Sequence, residues 1–189
     1  RPDRSRRSRS RASSDPFRNV NTRGDLAAAG EDGAIFGGGC FGGLEAADEG
    51  RPGILSVVSG YTGGKERNPT YEQVGSHMTG HFESIEVRFD PAKITYAQLL
   101  DLFWHGVDPT QADGQFCDRG TEYRSAIFVH GKNQRQLAED SMRRLEASHV
   151  LNQPIVTTIV AAGPFYPAED YHQDFWKKDP ARYHEYREG

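Results

Sequence analysis

The sequence is poor in cysteine, in long apolar runs and in closely spaced metal ligands. Two cysteines in 189 residues exclude a multi-disulfide secreted scaffold and fit a reducing compartment with a working thiol. No apolar stretch approaches the roughly 20 residues that a membrane span needs, so a soluble protein with no membrane partner is expected. Cys40, Cys117 and seven scattered histidines lack the paired spacing of a zinc site, and no metal is expected. The glycines before Cys40 are not followed by the Lys and Ser/Thr of a phosphate-binding loop. Internal repeats are absent as well.

Basic residues are unevenly placed. Residues 1–23 hold eight Arg and two Asp, a local charge of +6 against −4 for the whole chain, leaving −10 for residues 24–189. An acidic body argues against nucleic-acid binding. Residues 1–30 read as a disordered Arg/Ser-rich leader or tail with a linker. Such a stretch has the composition of an organellar transit peptide or of a plain solvated tail, so the expected compartment is cytoplasmic, or organellar on the first reading. Residues 31–189 have the length of one domain, close to the roughly 100 to 150 residues that domains most often contain.

The chain is organised around Phe36-Gly-Gly-Gly-Cys40-Phe-Gly-Gly-Leu-Glu45, where an apolar strand runs into glycines and Cys40 stands at the start of a predicted helix over 41–49. Glycine permits close approach of a ligand, and a helix start offers unpaired N–H groups and the positive end of the helix dipole. A thiol there is expected to ionise easily. The alternative is a small buried hydrophobe, the commoner fate of a lone cysteine.

Further along, Ile54–Tyr61 reads as a buried strand. Residues 81–89 read as another, in which a side-chain period of two places Glu83 on the core face with Ile85, Val87 and Phe89. A buried carboxylate tends to hold its proton, so Glu83 is either functional or part of a local salt bridge. Tyr96, Leu99, Leu100 and Phe103 recur at helical spacing. A polar loop over 107–122 holds Cys117 and Asp118, and Tyr123 leads into a strand at 125–129. Residues 133–148 predict a charged helix with Ala138, Met142 and Leu145 inward and a supporting Glu139–Arg143 pair. Ile155–Ala162 reads as the last strand, and the aromatic tail is expected to pack the terminal helix onto the sheet. Strands alternating with helices predict an α+β domain, one mixed sheet flanked by helices.

Taken together, GGGCFGG, SGYTGG, NPTYEQV, TGHFES, GQFCDRGTEYRSAIF and FYPAEDYHQDF resemble, in order, the motifs of the A-type peptide methionine sulfoxide reductases over about residues 33–180. The resemblance implies a ferredoxin-like core and an oxidoreductase that reduces the S epimer of methionine sulfoxide, free or in proteins, in oxidative-damage repair. It assigns the nucleophile to Cys40, the proton donor to Glu83, the oxygen-binding hydroxyls to Tyr71 and Tyr123, a supporting role to Asp118 and a pocket wall to Phe41. It implies no bound cofactor, a thioredoxin-like external thiol as reductant, and a monomer. Cys117, the other cysteine, is the candidate resolving thiol. Gly42 stands where the family usually carries Trp, which removes a second aromatic wall. A bulkier sulfoxide, or a binding module without turnover, is the alternative, unless a tail aromatic such as Trp176 covers the gap.

Overall fold

The computed structural model describes residues 32–188; the expectation for residues 1–30 lies outside them. In chain order the elements are β1 (Asp32–Gly37), α1 (Phe41–Asp48), β2 (Ile54–Thr62), α2 (Tyr71–Gly75), β3 (Phe82–Phe89), α3 (Tyr96–Gly106), β4 (Gly114–Gln115), β5 (Asp118–Arg119), a 3-10 turn (Thr121–Tyr123), β6 (Ala126–Val129), α4 (Gly131–Ala147), β7 (Thr158–Ala161), β8 (Phe165–Pro167), a second 3-10 turn (Asp170–His172), α5 (Phe175–Lys178) and α6 (Pro180–Glu188). Six strands form one sheet in the order β7-β6-β1-β3-β2-β8. Only β6–β7 is parallel, so this is the mixed α+β sheet expected. Among the described residues no helix is long and apolar enough to cross a membrane.

Alternation along the central strands makes the core. Ala34 and Phe36 of β1 and Ile85, Val87 and Phe89 of β3 are fully buried with Leu99, Leu100 and Phe103 of α3. Burying side chains of this size stabilises the fold by roughly 1.5–3 kcal/mol each. The other sheet face holds a smaller cluster of Ile35, Ala126, Phe128 and Phe165. Both α2 and α3 start at reciprocal caps, Thr70 with Gln73 and Thr95 with Gln98, in which each side chain satisfies the other residue's backbone N–H.

Five local expectations change. Burial in β2 lies in its second half, Ser59–Thr62, while Leu55 is exposed; β8 covers only Gly60–Thr62, so the first half is an open edge. The inner stripe of α4 is Gln134, Ala138 and Ser141, with Gln134 Nε2 donating to the Gly33 carbonyl at 2.9 Å, whereas Met142 and Leu145 are half-buried. Glu139 meets Arg135 and Arg143 meets Asp140, in place of the expected Glu139–Arg143 pair. Residues 165–167 form an edge strand on β2 where the sequence suggested only a packing tail, and the last predicted strand shortens to β7.

The tail is tied to α1. Gln173 Oε1 accepts from the Ser59 N–H at 2.9 Å, and its Nε2 donates to the Ser59 carbonyl at 2.8 Å. Asp174 N–H donates to the buried Glu45 at 3.0 Å and Trp176 Nε1 to Glu49 at 3.0 Å. Lys177 sits between the carboxylates of Glu49 and Asp174. These contacts fix where Phe175 falls.

Candidate active site

Cys40 closes the glycine arm that leaves β1. Gly39 takes φ +87°, a conformation that glycine enters at no steric cost, and its N–H donates to the Tyr123 carbonyl at 2.9 Å. This turns the chain so that Cys40 becomes the N-cap of α1. Glu83, from the neighbouring strand, is 3% exposed and accepts the Phe41 N–H at 3.3 Å. Tyr71 is the first residue of α2; its N–H donates to Glu169 at 2.9 Å, and the other Glu169 oxygen accepts from the Tyr61 hydroxyl at 2.8 Å. Tyr71 lines the same cavity as Tyr123.

Cys40, Phe41, Gly42, Tyr71, Glu83, Asp118 and Tyr123 therefore line one cavity of about 190 Å³. Sequence reasoning did not single out four others from the tail: His172, Phe175, Arg182 and Tyr183. Two of them lie inside the FYPAEDYHQDF motif, so the motif marked the place without the role. The His172 ring packs on Phe41, Tyr71 and Tyr171 at centroid distances of 5.0, 4.4 and 4.1 Å. Among the described residues its Nε2 has no hydrogen-bond partner, and burial lowers its pKa against the opposing pull of Glu169, which favours the neutral ring.

Electrostatics correct one expectation. Burial, and then the adjacent Glu83 carboxylate, push the Cys40 thiol up to about 12, against the smaller help of the Gly42 and Gly43 N–H groups. The helix start does not make a ready thiolate. Burial likewise pushes Glu83 up to about 8, with Asp118 and Glu122 adding repulsion against the Phe41 N–H bond. Burial followed by the Glu83 charge raises Tyr71 and Tyr123, and burial raises Asp118. At neutral pH the cavity holds a thiol, a carboxylic acid and two phenols.

Gly42 is not an open gap. A Cβ built on it would lie 3.2 Å from Phe175 Cδ1 and 3.5 Å from Phe175 Cβ. The side-chain direction of residue 42 is occupied by Phe175, and Trp176 is engaged with Glu49. A tail aromatic does cover the site, one residue earlier than expected. Cys117 is exposed in the turn of the β4–β5 hairpin, outside the cavity lining, and both cysteines are thiols.

The family model for peptide methionine sulfoxide reductase matches residues 32–189. The chain belongs to this family. The reductase is 55% identical over 153 residues to peptide methionine sulfoxide reductase MsrA of Ligilactobacillus salivarius, covering 81% of this chain and 89% of that one. Among solved structures it is similar to Mxr1 of Saccharomyces cerevisiae in reduced form, at 30% identity and TM-score 0.71, covering 81% of this chain and 88% of that one. Mxr1 in complex with Trx2 aligns with the reductase at 22% identity and TM-score 0.50 over 78% and 86% of the two chains, a likeness of fold.

Proposed function

We propose that this chain reduces the S epimer of methionine sulfoxide, free or in proteins, to methionine through a sulfenic acid on Cys40. The observation that carries the reading is the single cavity in which Cys40, Glu83, Tyr71 and Tyr123 face one another. A sulfoxide oxygen placed there accepts hydrogen bonds from the Glu83 carboxylic acid and the two phenols, while Phe41 and Phe175 flank the methyl group. As the Cys40 sulfur attacks the sulfoxide sulfur, Glu83 passes its proton to the oxygen and takes up the proton leaving the thiol. The S–O bond breaks, the thioether departs, and the oxygen with one proton remains on Cys40 as Cys–SOH. The sulfoxide is reduced by two electrons and the thiol oxidised by two. Because Phe175 fills the space beside Gly42, methionine sulfoxide itself is the substrate class that fits.

The sulfenic acid condenses with a second thiol, releasing water and leaving a disulfide. Cys117 takes this role in our reading. Asp118, its neighbour, already lines the cavity, and a hairpin with two paired positions has few ladder bonds to hold its tip. The exposed disulfide is then opened by a thioredoxin-like dithiol, which accords with the yeast relative having been solved in complex with Trx2. Peptide mapping after one turnover without reductant is expected to find a Cys40–Cys117 disulfide. A sulfenic acid persisting on Cys40 beside an unmodified Cys117 would remove Cys117 from the cycle.

The pH profile tests the proton donor. Glu83 acts only while protonated, so kcat/KM is expected to hold level near neutrality and to fall as pH rises through about 8. A profile that climbs through that range would mean that the thiolate, and not the acid, limits the reaction.

A further inference from the structure

Tyr71 and Tyr123 stand on elements that no sheet ladder joins, α2 and the turn 121–123. Behind them, on the side away from Cys40, His77 Nδ1 lies 2.6 Å from Glu122 Oε2. His77 leaves the end of α2 and Glu122 immediately precedes Tyr123. The Glu122 side chain is 3% exposed and that of His77 is 53% exposed, so the acid is internal and the imidazole caps it from outside. His77 holds φ +62°, a left-handed conformation that is strained for a side chain with a Cβ. Gly120 makes room for the acid, since a Cβ there would lie 2.6 Å from Glu122 Oε2. Strain at one residue and a bare glycine at another both serve this contact.

We propose that the His77–Glu122 pair is a positioning clip that ties the end of α2 to the turn before β6 and thereby sets Tyr71 and Tyr123 against Glu83. The clip rests on the reading of those three residues as the groups that bind the sulfoxide oxygen. His77, Glu72 and Arg119 face Glu122 from the outer groove, with Arg119 itself paired to Asp113; Glu83 and Asp118 face it from the cavity side. Charge on Glu122 therefore has a second effect, helping Glu83 to keep its proton.

Two substitutions at position 77 accept the same backbone angle. His77→Gly relieves the strain and deletes the donor, whereas His77→Asn tolerates the left-handed conformation and places an amide N–H close to where Nδ1 lies. With a methionine sulfoxide peptide and dithiothreitol, His77→Gly is expected to lower kcat about 10-fold or more, as a small misplacement of reacting groups does, while KM moves much less. His77→Asn is expected to recover most of kcat. Glu122→Gln is expected to move the alkaline fall of kcat/KM to lower pH, because Glu83 loses a neighbouring negative charge. A wild-type kcat in His77→Gly overturns the clip, as does a loss that His77→Asn fails to restore or an alkaline limb that stays in place in Glu122→Gln. If Glu83→Gln keeps full activity, the underlying reading of the site fails; if Glu83→Gln is inactive and His77→Gly is normal, only the clip fails.

Discussion

Glu83→Gln is expected to lower the rate of sulfoxide reduction by about 100- to 10,000-fold, the range that general acid catalysis contributes, with a much smaller change in substrate binding. Gln preserves the shape of the side chain and the acceptor for the Phe41 N–H, but it cannot give a proton to the leaving oxygen. The same substitution should stabilise the fold at alkaline pH. The pKa of Glu83 rises from the ordinary 4.5 to about 8 in the folded chain, so between those values the unfolded chain has lost the proton and the folded chain still binds it. Stability then falls as pH rises through that window and stays lower above it. Each pKa unit corresponds to about 1.4 kcal/mol, so the cost of keeping Glu at this site amounts to a few kcal/mol. Melting curves of both proteins at pH 5 and pH 9 should show the advantage of Gln small at the first and large at the second. Unchanged turnover near pH 7 would remove Glu83 from proton transfer.

Phe175→Ala is expected to cost about 100-fold in kcat/KM on methionine sulfoxide, the scale on which a misplaced reacting centre loses rate, and to cost less on sulfoxides whose sulfur carries a group larger than methyl. The ring stands against the bare backbone of Gly42, so its removal opens the wall on that side. Gly42→Trp alone should also lose activity, because the indole and Phe175 compete for one volume and the tail is held by Gln173, Trp176 and Lys177. Combined, the two substitutions should recover much of what each loses, a coupling that a double-mutant cycle measures directly. Additive losses would mean that Phe175 does not stand in for the missing side chain.

Much of this site was legible before the structure. A period of two in residues 81–89 put Glu83 on the core face, and it is buried there beside Ile85 and Val87. Cys40 follows glycines and begins a helix, and Tyr71, within the motif NPTYEQV, stands at the first position of α2 behind the Thr70 cap. These are local features: alternation, glycine geometry and caps are set by a few consecutive residues. The family likeness then placed Tyr123 and Asp118 in the same cavity, and the structure brings all five together.

Three properties of the site were out of reach of any local reading. A helix N-cap suggested a ready thiolate at Cys40, yet burial and the facing carboxylate decide its protonation, and both depend on strands far away in sequence. The wall beside Gly42 is supplied from 133 residues further along, through a tail whose docking runs over Ser59, Glu45 and Glu49. His77 and Glu122 likewise carry no motif that pairs them. Which chemical groups are available, and which elements present them, follows from neighbours in the chain and can be read along it. Which of those groups hold protons, which ring closes the pocket and what steadies the tyrosines emerge with the packing, because desolvation and contact are properties of everything that surrounds a residue.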